Sequence, residues 1–191
     1  MAHARAFLLA LTLALLAARP SAAEVFNTAR TLNPGAVSLS AAYQAFGGPP
    51  ASLYLGVGVV KRFDLGVRVG FQPEPAAGVA YWGGDAELGL LQDGPKALAL
   101  SLALGAHGHR AGGGVVIDAT LLASKLFLER LEPYVAVDVD WSLDAVRGTY
   151  RAVAGLEVIV VKKRLDLLVE GGLGLGQDTP RYLTGGFCLY I

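Results

Sequence analysis

The stretch Leu53–Gln72, LYLGVGVVKRFDLGVRVGFQ, decides the fold. Its first half alternates Leu53, Leu55, Val57 and Val59 with Tyr54, Gly56, Gly58 and Val60, and a charged break follows at Lys61 to Asp64. The second half resumes the rhythm, with Leu65, Val67, Val69 and Phe71 on one face and Gly66, Arg68, Gly70 and Gln72 on the other. Apolar residues two apart mark an extended strand, because successive side chains leave a pleated backbone on opposite sides. A helix would need them three and four apart. The stretch therefore predicts an antiparallel hairpin with one apolar face and one face of glycine and polar residues.

Outward from this hairpin the same period runs to the end of the chain. Leu98, Leu100, Leu102 and Leu104 oppose Ala99, Ser101, Ala103 and Gly105; Val135, Val137, Val139 and Trp141 oppose Tyr134, Ala136, Asp138 and Asp140. Ala152, Ala154, Leu156 and Val158 oppose Arg151, Val153, Gly155 and Glu157. Turn-forming residues fall near Gly47 to Pro50, Lys61 to Asp64, Pro73 to Ala77, Gln92 to Lys96, His107 to Gly114, Glu129 to Pro133, Ser142 to Gly148, Lys162 to Arg164, and Gly176 to Arg181. These breaks predict about ten strands, or eight or twelve if one is misread, and an even count returns both ends of the chain to one side.

The chemistry of the two faces separates a membrane barrel from a soluble sandwich, which also alternates. One parity is apolar on nearly every strand. The other carries Arg68, Asp85, Glu87, Asp118, Asp138, Asp140, Arg151, Glu157, Asp166 and Glu170. That many charges cannot line a dry core, but they suit a wet or ion-paired lumen. The expectation is an all-β, closed antiparallel up-and-down transmembrane β-barrel over residues 36–191, with a secreted soluble barrel or sandwich as the alternative. If the odd-numbered connections face outward, Tyr43, Phe71, Trp82, Trp141 and Tyr150 fall near the outer strand ends on the lipid-facing parity, where interfacial aromatics belong.

Composition agrees with this picture. The chain is 53% apolar, yet beyond its first residues no run is long and uncharged enough to cross a bilayer as a helix. Residues 1–23 read as a secretory signal peptide, with Arg5 in the n-region, an apolar stretch from Ala6 to Ala18, and small residues Ser21 and Ala23 before the cut. The mature chain is expected to start at Glu24, with residues 24–35 as a periplasmic N-terminal segment. Without Arg5 and Arg19 the mature chain holds 14 basic against 16 acidic residues, which gives no nucleic-acid footprint. Cys188, the sole cysteine, excludes an intramolecular disulfide and argues against a cysteine-based metal site.

The segment Asn27, Thr28, Ala29, Arg30, Thr31, then Pro34 and Gly35, resembles the lead-in to the first strand of some small outer-membrane β-barrel proteins of Gram-negative bacteria. The glycine-rich hairpins of the whole mature chain resemble that family as well. Family members often end in Phe or Trp, a feature resembling an assembly signal, whereas this chain ends Leu189, Tyr190, Ile191 with Phe187 nearby. The resemblance implies location in a bacterial outer membrane, with outer-membrane lipid and the barrel assembly machinery as partners.

The family includes pores, anchors, adhesins and a few enzymes, so residues must choose among them. His107 and His109, beside Arg110 in an expected outward loop, are the best acid–base candidates, with Asp118 and Thr120 inward on the next strand. No His-X-Ser pattern accompanies them, and two histidines one residue apart lack metal-site spacing, so no catalytic set, metal or cofactor is assigned. Gly171 to Gly176 lacks dinucleotide-binding spacing and leads into a loop rather than a helix. The inward carboxylates either line a cation-preferring passage or form an ion-pair network with Arg68 and Arg151. Ten strands give a backbone diameter on the order of 20 Å, most of it filled by side chains, which favours the network. The expected function is a non-enzymatic outer-membrane barrel with a structural role or a narrow small-solute passage. The alternative is an enzyme acting on lipid or peptide at the outer rim.

Overall fold

The computed structural model describes residues 28–46, 51–72, 78–94, 97–109, 114–143, 147–176 and 181–191. The expected signal peptide with its cleavage positions, and Arg110, lie outside these residues. Ten strands run in order: β1 (Val37–Phe46), β2 (Ala51–Val60), β3 (Phe63–Gln72), β4 (Gly78–Gln92), β5 (Leu98–His109), β6 (Val115–Lys125), β7 (Leu131–Ser142), β8 (Arg147–Val161), β9 (Leu165–Gly174) and β10 (Tyr182–Tyr190). Each pairs antiparallel with its sequence neighbours, and β1 closes on β10 from Ser38↔Tyr190 to Phe46↔Leu183. The result is a closed up-and-down barrel with no free edge.

Local chemistry accounts for the hairpins. At the end of the barrel that carries the start of β1 and the end of β10, hereafter the terminal end, the β2–β3 and β8–β9 turns are tight. Arg62 (φ 68°) and Lys163 (φ 61°) there adopt the left-handed conformation that closes a short loop onto a bulge. The register shifts between Gly58 and Val60 and between Ile159 and Val161 are those bulges. They place Val59 with Val60, and Val160 with Val161, consecutively on the outside.

Five expected breaks start or end elsewhere, and Gln92, the expected start of one, ends β4. Asp64 belongs to β3, His107 and His109 to β5, Leu131 to Pro133 to β7, and Arg147 with Gly148 to β8. Turn-type residues mark a break, but ladder hydrogen bonding carries the strands one to three residues into it.

Alternation sorts the side chains as the period requires. Leu55, Val67, Leu104, Leu121, Val137 and Leu167 are exposed on the outer surface, and their strand neighbours point inward and are covered. An apolar exterior around a polar interior inverts the water-soluble arrangement and is that of a membrane-spanning barrel. Tyr43, Phe71, Trp82, Trp141 and Tyr150 all point outward, on the half of the barrel away from the terminal end.

Candidate functional site

The interior is a stack of rows set by the β6–β7–β8 register. Farthest from the terminal end of these, Thr120, Asp138 and Arg151 stand side by side; next come Leu122, Ala136 and Val153, then Ser124, Tyr134 and Gly155, and last Glu132 beside Glu157. Each row has a distinct chemistry.

The first row is an ion-pair network. Arg151 donates through Nε to Asp138 Oδ2 at 3.0 Å and also pairs with Asp140, while Thr120 Oγ1 donates to Asp138 Oδ1 at 2.8 Å. The guanidinium is 2% exposed, so the two carboxylates serve as its counter-ions away from water. On the opposite wall Arg68 donates to Asp85 Oδ2 at 2.8 Å, and Tyr54 donates its hydroxyl to Asp85 Oδ1 at 3.0 Å. Arg68 and Arg151 thus each pair with inward carboxylates of their own wall.

Beneath this network the row on β6–β8 is apolar. Leu122, Ala136 and Val153 pack with Ala99, Tyr134, Tyr182 and Ala29 in one buried cluster. The two tyrosines satisfy their hydroxyls on a single acceptor: Tyr134 donates to Glu170 Oε2 at 2.7 Å and Tyr182 to Glu170 Oε1 at 2.6 Å. Glu170 is 1% exposed.

Ala29 in that cluster belongs to the segment before the first strand. Residues 28–33 enter the terminal mouth and are bonded to the wall. Ala29 N donates to Ser124 Oγ, Gln92 Nε2 donates to the Ala29 carbonyl, and Leu32 N donates to Asp64 Oδ2 at 2.6 Å. Arg30 pairs with Glu132 at 2.9 Å and donates to the carbonyls of Gly94 and Ala97 at the β4–β5 turn. The strap has no period because each of its residues meets a different partner, so alternation could not reveal it. Asp64 and Glu132, its anchors, were obscured by expected breaks. Both share the inward parity of their strands, which is the signal that identifies them.

His107 also requires correction. It is not a solvated loop residue but an inward side chain of β5, 8% exposed, with Nδ1 3.2 Å from Asp118 Oδ2. Alanine, serine and glycine at 99 to 105 already set its parity. The side chain of His109 lies outside the described residues.

The strap covers part of the terminal mouth and leaves a cavity of about 1270 Å³. Asp64, Glu132, Glu157, Asp166, Cys188 and Tyr190 line it, with Lys125 contributing from the end of β6 and Lys162 and Lys163 from the β8–β9 turn. Tyr190 donates to Glu157 Oε1 at 3.1 Å. Lys125 sits with Nζ 5.5 Å from the Phe127 ring centre. Of the ten inward charged residues expected, Arg68, Asp85, Asp118, Asp138, Asp140 and Arg151 form ion pairs or the His107 contact, Glu170 holds the two tyrosines, Glu157 and Asp166 lie in the cavity wall, and Glu87 is buried on β4. Among the described residues no group of three or more His, Cys, Asp or Glu is placed to hold a metal ion.

No family model matches the sequence, and no curated protein matches it. Among solved structures the chain is similar to a de novo designed transmembrane β-barrel, at 15% identity and a TM-score of 0.40, over 85% of this chain and 100% of that one. It is also similar to the KdgM porin in complex with disordered oligogalacturonate, at 9% identity and a TM-score of 0.47, over 81% of this chain and 98% of that one.

Proposed function

We propose that this protein is a bacterial outer-membrane β-barrel with a structural role, its bore closed by its own side chains and by the N-terminal strap. The observation that carries this reading is the stacking of the Arg151–Asp138–Thr120 row on the Leu122–Ala136–Val153 row along the β6–β8 wall, with every one of these side chains buried. An open pore keeps water along its axis, whereas an ion-pair row over an apolar row excludes it. The apolar outer surface favours lipid as its surroundings, with the assembly machinery as the partner that inserts it.

Planar-bilayer recording of the refolded protein tests closure. No steady conductance above the bare bilayer is expected, and a stable porin-like conductance would show that solute passage, not structure, is the role. Detergent dependence and heat-modifiable gel migration test the membrane reading; a freely soluble protein would overturn it. One observation favours an enzyme at the outer rim, namely the His107–Asp118 contact, since a carboxylate beside the ring orients it for acid–base work. Hydrolysis of a phospholipid or peptide that disappears in His107→Ala would establish that alternative.

A further inference from the structure

Charge is spread unevenly between the two ends of the barrel. At the terminal end the β6–β7 and β8–β9 turns, with the last residue of β6, carry Lys125, Arg130, Lys162, Lys163 and Arg164 against a single acid, Glu129. All five cations are exposed. Lys162 pairs with Glu129, and among the described residues Arg130, Lys163 and Arg164 form no ion pair. Around the connections at the opposite end the sequence is balanced, with Arg110, Arg147 and Arg181 against Glu74, Asp144 and Asp178.

The two turns form one surface. Ile159 N donates to the Arg130 carbonyl at 2.8 Å and Tyr190 N to the Arg164 carbonyl at 3.0 Å, so both arginines are fixed through their backbones. Neither of them lines the cavity. Leu128 (φ 51°) and Lys163 (φ 61°) occupy left-handed positions where glycine would be unstrained, so the chain keeps an apolar and a cationic side chain there at a backbone cost. Leu128 is 86% exposed, and Phe127, Val160 and Val161 continue the exposed apolar surface beside the cations.

Cations alone suit any anion. Cations interleaved with exposed hydrocarbon at the rim of an apolar wall suit an anion that itself carries hydrocarbon, because phosphate and acyl chain are met together. A free phosphate gains nothing from Leu128, and an acidic protein has no need of the adjoining wall. The guanidinium fork matches phosphate oxygens.

We propose that these two turns bind anionic phospholipid in the leaflet around the terminal end, with Arg130 and Arg164 on the phosphate, Lys163 adding charge, and Leu128 in the acyl layer. The inference rests on the membrane-spanning reading. A freely soluble protein fails both, whereas a detergent-dependent, heat-modifiable barrel indifferent to lipid charge fails this one alone.

Native mass spectrometry of the full-length mature protein in non-ionic detergent tests it, with phosphatidylglycerol and phosphatidylcholine of identical chains as probes. Phosphatidylglycerol should bind at least tenfold more tightly. The double variant Arg130→Gln, Arg164→Gln should lose most of that preference, and Arg130→Lys, Arg164→Lys should keep the larger part of it. Leu128→Ser should weaken phosphatidylglycerol several-fold, whereas Arg181→Gln, which removes an exposed cation at the opposite end, should change nothing. Equal binding of the two lipids, an unchanged preference in the double glutamine variant, unchanged binding in Leu128→Ser, or as large a loss in Arg181→Gln would each overturn the proposal. Displacement of the lipid by inorganic phosphate or by a glutamate-rich peptide at matched concentration would do the same, marking a general anion site or an acidic-protein site instead. Should the double glutamine variant lose heat-modifiable migration, the two single variants take its place, and an unchanged preference in both is equally decisive.

Discussion

The Tyr134 ring packs on Gly155, its direct register partner on the neighbouring strand, and occupies the space a side chain at 155 would need. Tyr182 stands in the same relation to Gly172, Tyr81 to Gly70, and Tyr54 to Gly66 one step along the ladder. Each glycine is thus a socket that lets a bulky inward ring lie along the wall instead of across the bore. Gly155→Ala should push the ring off its seat and pull the hydroxyl from Glu170, costing about 1–3 kcal/mol. Gly171→Ala is the internal comparison: a methyl there meets nothing nearer than 3.7 Å. Its effect should stay within about 0.5 kcal/mol. Urea unfolding in lipid vesicles, followed by tryptophan fluorescence, measures both.

Arg151 pairs with both Asp138 and Asp140 on the β7–β8 wall, and its loss leaves two buried carboxylates beside each other. Arg151→Met is expected to destabilise the barrel by about 3–5 kcal/mol, because the partners keep their desolvation cost after losing the cation. Adding Asp138→Asn and Asp140→Asn should recover most of that loss. If the single and triple variants unfold at the same denaturant concentration, the network does not act through charge pairing.

How far the sequence discloses this molecule follows from where regularity ends. The period of two is enforced by the pleat, so strand count, the lipid-facing parity of Tyr43 and Trp141, and the inward parity of Asp138 and Glu157 can all be read from spacing. Strand ends are set by ladder bonds rather than by residue type, and there the signal misleads: Asp64 and Glu132 look like turn residues yet point into the lumen. The strap is invisible to periodicity because Ala29, Arg30 and Leu32 each find a partner more than thirty residues away in sequence, and only the closed wall brings those partners together. The pairing of tyrosines with glycines is legible only once the register is known.

Arg30 holds the strap at three points, Glu132 and the carbonyls of Gly94 and Ala97, and a shorter or uncharged side chain cannot reach them together. Arg30→Ala should therefore loosen the strap without opening the wall. Cys188 reports it, since its buried thiol lines the same cavity. Maleimide labelling of Cys188 in the folded protein is expected to accelerate at least tenfold in Arg30→Ala, with unchanged gel migration. Arg30→Lys keeps the charge but lacks the planar fork, and should fall between the two. Equal labelling rates in all three would mean that the strap does not guard the cavity.

Depth in the apolar belt supplies a separate measurement of the surroundings. Val137 sits midway along β7 and is 50% exposed on the outer face, whereas Leu143 is 51% exposed just beyond the end of that strand. Their exposures are nearly equal, so in water a charge at either place would cost the same. In a bilayer the costs diverge, because an arginine at mid-depth leaves water and headgroups behind while one at the strand end does not. Val137→Arg should destabilise the barrel by about 2–4 kcal/mol in vesicles and Leu143→Arg by about 0–1 kcal/mol. Repeating the pair in detergent micelles, where the belt is thinner and more adaptable, should narrow the difference. Equal costs in vesicles would mean that the exterior of the barrel does not face lipid, whatever its composition.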